Sequence, residues 1–256
     1  MPRESRARRP RGLRRCALGA AVLATACGSD PERRAPVLQA PASFAAARSA
    51  PPAKPARPEG RYLLARLKRP AQLRIAPGGR VVARIATRTE FGSRTVLNVV
   101  GRRRGWLRVV ATERPNGERG WIPAARATLD ATDYAVRIDR SARRLTLLRG
   151  SRVLRRFTVA VGRPANPTPV GRYAVTDRLR PARAASPYGC CAVALTGHQT
   201  KLVPGWPGGD RLAVHGTQQP ESVGRAVSLG CLRARERDIR ALMARVPLGT
   251  PVFVRA

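Results

Sequence analysis

Between Arg61 and Asp130, short apolar runs alternate with polar positions. They are Tyr62–Leu67, Gln72–Ile75, Val81–Ile85, Thr95–Val100 and Trp106–Val110, with Pro77-Gly78-Gly79 and Asn116-Gly117 between them. A period of two broken by Gly, Pro and Asn predicts short β-strands joined by tight turns. Gly120-Trp121-Ile122-Pro123 adds one more such run, and the whole stretch predicts a small all-β barrel. Trp106 and Trp121 are expected to fill its core.

A second set of alternating runs follows: Tyr134–Asp139, Arg144–Leu148, Arg152–Val161, Gly171–Thr176, Cys191–Leu195 and Arg211–His215, closed by Thr250–Arg255. Segments rich in Pro and Gly, such as Arg163–Pro169 and Thr200–Asp210, separate several of these strands and read as the rim of a cleft. One helix is expected near Ala234–Val246, where Ile239, Leu242, Met243 and Val246 recur on one face. The fold class is therefore mainly β, with one short helix in the second half.

The remaining sequence has no such period. Residues 28–60 are rich in Pro and Ala and carry no apolar repeat, so they read as an extended linker. Before them, residues 3–15 hold seven arginines and one glutamate, and an apolar run of eleven residues extends from Cys16 to Ala26. Eleven residues suit the core of an export signal better than a membrane span. The run ends in Leu23-Ala24-Thr25-Ala26-Cys27, which resembles a bacterial lipobox with Cys27 as the lipidated residue; Ala24-Thr25-Ala26 also fits ordinary signal cleavage. The expected organisation is a signal peptide over 1–26, a linker over 27–60, a first β domain over 61–130 and a second over 131–256. The protein is expected to be exported to the cell envelope and held at the membrane by a lipid anchor.

Charge and cysteines narrow the partners. The 256 residues carry a formal net charge of +35, of which +29 remains once the signal is set aside. Such a field favours polyanions, and an exported protein meets anionic wall polymers and lipid head groups first. The arginines are spread along the chain rather than gathered in a stripe with aromatics, so no nucleic-acid partner is expected. Cys190, Cys191 and Cys231 lie beyond the signal. Adjacent cysteines rarely bridge each other, because disulfide geometry favours a wider Cα separation. Cys190 and Cys191 are expected to be buried packing, with redox contact to Cys231 as the alternative.

The chemistry concentrates in Arg211–Arg233, RLAVHGTQQPESVGRAVSLGCLR. His215 could take a proton from Cys231, and Gly230 leaves backbone amides free to face a substrate oxygen. A helix N-terminus after Cys231 and the cation of Arg233 would both favour the thiolate. A zinc site from His198, Asp210, His215 and Cys231 matches no common ligand spacing, so no metal is expected.

The words around this pair are His215-Gly216-Thr217, Pro220-Glu221 and Ser228-x-Gly230-Cys231-x-Arg233. Upstream stand Thr168-Pro169-Val170-Gly171-Arg172-Tyr173, Pro187-Tyr188-Gly189 and Leu195-Thr196-Gly197-His198. In this order, from about Tyr134 to Val254, they resemble the L,D-transpeptidase (YkuD) family of bacterial cell walls. The Gly-Trp phrases of residues 61–130 resemble bacterial SH3 domains.

The resemblance implies a β-sandwich of two packed, mainly antiparallel sheets and a cysteine acyltransferase with no cofactor. Cys231 would be the nucleophile and His215 its base, with Gly230 and Gly216 forming the oxyanion and orienting backbone. Arg233, Ser228, Thr217, Tyr188 and His198 would line the substrate site. The implied partners are peptidoglycan stem peptides, a donor tetrapeptide and the diaminopimelate amine of an acceptor, and a monomer is expected. Leu229 stands where many members have histidine, which bears on the acceptor. An L,D-carboxypeptidase of the same fold and a non-catalytic wall-binding lipoprotein are the alternatives.

Overall fold

The computed structural model describes residues 60–181, 186–205 and 208–256. The signal, Cys27 and the linker lie outside the described residues.

The first strands are β1 (Tyr62–Leu67), β2 (Ala71–Arg74), β3 (Val81–Ile85), β4 (Val96–Arg103), β5 (Trp106–Val110), β6 (Gly120–Pro123) and β7 (Ala127–Thr132). They form one antiparallel sheet in the order β3-β2-β6-β5-β4-β1-β7. Its core is aliphatic, built from Leu67, Leu73, Ile85, Leu97, Leu107, Val109 and Ile122. Trp106 and Trp121 are only half-buried, contrary to expectation. The cause is strand parity. Leu107 and Ile122 point into the core, so their neighbours Trp106 and Trp121 point away, and Trp121 lies in register with Arg108 and Arg74.

The second part contains β8 (Tyr134–Asp139), β9 (Arg144–Arg149), β10 (Arg152–Thr158), β11 (Val161–Gly162), β12 (Gly171–Leu179), β13 (Ala192–His198), β14 (Arg211–His215), β15 (Ala226–Ser228), β16 (Leu232–Arg233), α1 (Glu236–Met243) and β17 (Pro251–Arg255). Eight of these strands form one continuous ladder, β10-β9-β8-β17-β12-β13-β14-β16. The two halves are joined through β12. Its residues Gly171–Ala174 pair with β17, and a register shift between Val175 and Asp177 accompanies its pairing with β13.

Side chains from both halves share one buried cluster, including Ile138, Leu147, Val175, Leu195, Val214 and Leu232. Helix α1 adds Ile239 and Leu242, fully buried, each contributing roughly 1.5–3 kcal/mol by burial. The pairing is more mixed than expected: β17 with β8, β16 with β14 and β11 with β15 are all parallel. The run expected as one strand over Arg152–Val161 stops at Thr158, and Val161 then pairs with Ala226 of β15, shortly before Cys231.

Polar side chains join the two parts. The Asn116 side chain bonds the His198 backbone twice, donating to its carbonyl at 2.6 Å and accepting from its amide at 2.9 Å. Arg172 donates to Asn98 at 2.8 Å, Thr89 to Asp177, and Arg211 to Glu90.

Candidate active site

Two strands place the candidate residues His215 and Cys231. β14 carries His215 at its end, and the short parallel strand β16 runs beside it with Val214 opposite Leu232 and His215 opposite Arg233. One residue before β16, Cys231 falls beside Ala213, on the face that Ala213 shares with His215. Its thiol lies 3.6 Å from the carbonyl of Arg211, to which it donates. Arg211 is itself held by bonds from its guanidinium to the Leu195 carbonyl and Thr176 Oγ1.

His215 is 5% exposed. Its Nδ1–H donates to the carbonyl of Gly216 at 2.5 Å, which leaves Nε2 as the nitrogen with a free lone pair. Burial lowers the imidazole pKa to about 4, aided by the Arg233 charge and opposed by the bond to Gly216. The ring is therefore neutral near pH 7. Burial also pushes the Cys231 thiol up, while the Ala213 backbone and Arg233 pull it down. The expected helix effect is missing, because α1 begins only at Glu236 and β16 intervenes. The resting pair is thiol and neutral imidazole rather than an ion pair.

Gly216 donates its amide to the Cys191 carbonyl at 3.0 Å, and a Cβ there would meet Glu236 Oε1 at 2.5 Å. Gly230 has φ +122°, and a Cβ would collide with the amide of Gln199. The Gly230 amide is occupied, donating to Ser228 Oγ at 3.1 Å, while Ser228 Oγ donates to the Cys231 carbonyl at 2.5 Å. Ser228 thus shapes the turn that presents the thiol.

Tyr188 meets His215 edge-on, and burial together with the Cys231 charge pushes its phenol up. Thr217 is buried and accepts from the Gln219 amide at 3.0 Å. Arg233 donates to Gln219 Oε1 at 2.9 Å. His198 stands apart from this group. Its ring nitrogens face Asp210 and the Thr112 carbonyl, both at 2.8 Å, so it braces the joint with the first sheet. Among the described residues no cluster of His, Cys, Asp or Glu is placed to hold a metal.

Two supporting residues, Gln199 and Glu236, carry no signal in the sequence, and a third, Thr168, enters there only as part of a motif. Gln199 donates to the Leu229 carbonyl at 2.8 Å, Thr168 Oγ1 donates to the Gly230 carbonyl at 2.8 Å, and Glu236 accepts from the Cys190 amide at 3.0 Å. The Thr-Pro-x-Gly phrase was the one available signal for Thr168. Cys190 and Cys191, expected to remain unbridged, form a disulfide with each other. Their Cα atoms are 3.8 Å apart, the ordinary spacing of chain neighbours, so the closure comes from the side chains alone. Cys231 is the free cysteine among the described residues.

Residues 133–254 match the family model of the YkuD L,D-transpeptidase catalytic domain. The chain is 31% identical over 121 residues to the L,D-transpeptidase-type protein YkuD of Bacillus subtilis, covering 47% of this chain and 65% of that one. It is 29% identical over 125 residues to the YkuD protein of Bacillus licheniformis, covering 49% and 67%. The chain thus spans just under two thirds of the first relative's length. An L,D-transpeptidase crystal structure from Mycobacterium tuberculosis is similar at a TM-score of 0.41 and 19% identity, over 56% of this chain and 67% of that one. The family model and the relatives together support a catalytic domain of the YkuD L,D-transpeptidase type over residues 133–254.

Proposed function

We propose that the chain is an exported, cysteine-dependent L,D-transpeptidase that cross-links peptidoglycan stem peptides through their third residues. The observation that carries this reading is that β14 ends in His215, its Nδ1–H fixed on the Gly216 carbonyl, beside β16, the strand that Cys231 immediately precedes. In the first half-reaction, His215 Nε2 takes the thiol proton as Sγ attacks the carbonyl of the third residue of a donor tetrapeptide. The carbon–nitrogen bond to the terminal D-alanine breaks, the proton passes from His215 to that leaving amine, and a thioester remains on Cys231. In the second, the side-chain amine of an acceptor stem attacks the thioester carbonyl and gives a proton to His215, the carbon–sulfur bond breaks as the new amide forms, and His215 passes the proton to Sγ to restore the thiol.

The developing oxyanion needs a donor, and the Gly230 amide is occupied by Ser228. The Cys231 amide is therefore assigned that role. Tyr188 closes over His215, and Arg233 offers its guanidinium to a stem carboxylate. The seven-stranded sheet is read as a bacterial SH3-like module, and Cys27 as the lipid attachment point at the outer face of the membrane.

A hydrolytic reading, L,D-carboxypeptidase, is favoured by one observation. Leu229 supplies no side-chain hydrogen bond beside the nucleophile to hold an acceptor amine.

The test is intact mass spectrometry of the full chain with a carbapenem, whose strained lactam carbonyl acylates an activated thiol. A single adduct in the parent, absent in Cys231→Ala and slowed in His215→Gln, is expected. A folded parent that stays unmodified would point instead to a wall-binding protein without catalysis. Adding donor tetrapeptide with and without an acceptor amine then separates transfer from hydrolysis by product mass.

A further inference from the structure

Glu236 opens α1, the helix that follows the Cys231 segment. Both of its carboxylate oxygens accept from the Cys190 amide, at 3.0 and 3.1 Å. Among the described residues that amide has no other acceptor. The carboxylate also touches two glycines. A Cβ added to Gly189 would strike Oε1 and come within 2.6 Å of the Gly216–Thr217 peptide. One added to Gly216 would meet Oε1 at 2.5 Å and the Cys190 amide at 3.2 Å. Two stretches of backbone thus close on this one side chain, and they can do so because glycine stands at each point of approach.

Those two stretches frame His215. Tyr188, next to Gly189, stands edge-on to the imidazole. Gly216 donates its amide to the Cys191 carbonyl at 3.0 Å, and its own carbonyl accepts from His215 Nδ1–H. The Tyr188–Cys191 turn therefore meets both the ring and the carbonyl that fixes its tautomer. Glu236 ties that turn to the start of α1.

Charge does not account for this placement. The acidity of the imidazole follows burial, the Gly216 bond and the Arg233 charge rather than the Glu236 carboxylate. The ion pair with Arg240, at 3.5 Å between exposed side chains, is screened by solvent. An acid in the first turn suits the helix dipole, but Asp238 already supplies one there. What distinguishes Glu236 is the hydrogen bond it accepts.

We propose that Glu236 is a positioning residue for the acyl-transfer site. By holding the Tyr188–Cys191 turn against the Gly216 backbone, it keeps the His215 ring in the Nδ1–H form, with Nε2 free for the Cys231 proton. The role in turnover rests on the reading of Cys231 and His215 given above; the effect on the ring does not.

The test uses the full chain labelled at the histidine ring nitrogens. It contains only two histidines, so His215→Gln assigns the signals. Nitrogen shifts give the tautomer and the pKa of His215, and intact mass spectrometry gives the rate of carbapenem adduct formation. Parent, Glu236→Ala, Glu236→Gln and Arg240→Ala are compared. In Glu236→Ala the ring should become a mixture of tautomers, its pKa should rise from about 4 toward 6.5, and acylation should slow by about tenfold or more. Glutamine keeps an acceptor oxygen without the charge, so Glu236→Gln should restore the tautomer and bring the rate within about threefold of the parent. Arg240→Ala should match the parent in both readings. If Glu236→Ala loses its fold, Glu236→Asp serves, since the shorter side chain draws the carboxylate back from the Cys190 amide. A folded Glu236→Ala with the parent's tautomer and rate would overturn the proposal. So would a Glu236→Gln no better than alanine, which would assign the effect to charge. A parent that forms no adduct would instead sink the acyl-transfer reading, and the nitrogen shifts would still decide whether Glu236 holds the ring.

Discussion

The ring of Tyr188 stands edge-on to the imidazole of His215, with centroids 5.0 Å apart and an interplanar angle of 81°. This contact contributes to the burial that lowers the His215 pKa to about 4. Tyr188→Ala should therefore raise that pKa toward 6.5, whereas Tyr188→Phe, which keeps the ring, should leave it near its present value. NMR titration of the imidazole measures both. An unchanged value in the alanine variant would show that Tyr188 takes no part in shielding the base.

Burying a neutral histidine links stability to acid. Above pH 6.5 neither the folded nor the unfolded chain protonates this ring, so it contributes no slope there. As pH falls from 6.5 toward 4, the unfolded chain binds the proton first and stability drops, by an amount on the order of 3 kcal/mol in total. Urea unfolding between pH 7 and pH 4 should show this loss in the parent and lack it in His215→Gln. If both lose stability equally across that window, other groups set the acid limit.

The thiol of Cys231 is pushed up by burial, while Arg233 pulls it the other way. Alkylation by iodoacetamide should accelerate with rising pH and continue to do so beyond the range where an ordinary thiol levels off. Arg233→Ala removes the stabilising charge and should slow alkylation at neutral pH by about threefold. A faster reaction in this variant would mean that Arg233 chiefly blocks access to the sulfur.

Gly230 and Gln199 share one tight space. The glycine has φ +122°, and an added methyl would displace the Gln199 amide from the Leu229 carbonyl. Gly230→Ala should destabilise the fold by about 1–3 kcal/mol and reduce acylation of Cys231. Adding Gln199→Ala relieves the collision but not the backbone strain, so the double variant should recover only part of the loss. A double-mutant cycle with no coupling between the two positions would contradict this.

The sequence was most readable where a strand has one buried face and sufficient length. Tyr134–Asp139 and Arg211–His215 have the predicted bounds because alternation over five or six residues fixes both element and face. β15 and β16, of three and two residues, are too short to carry a period, yet β16 positions Cys231. Cys231 and His215 stand out as candidates through their motif. Their protonation is not legible there, since it depends on burial that distant segments create. The same holds for the bond from Asn116 to His198, which spans 82 positions and has no local signature. The Cys190–Cys191 bridge runs against the general expectation for neighbouring cysteines.

The position of β17 has a bearing on assembly. This strand comes last in chain order, yet it lies in the interior of the eight-stranded ladder, between β8 and β12. Until Pro251–Arg255 are in place, β8 has no partner on that side and the first half of β12 has none at all in the ladder. A ribosome-bound chain therefore carries two unsatisfied edges from the completion of β12 at Leu179 until β17 emerges at Pro251, each able to recruit a strand from another copy. Completion of the sheet is a long-range event, since it waits for a strand more than seventy residues beyond β12, and it is the step most open to interception by a chaperone.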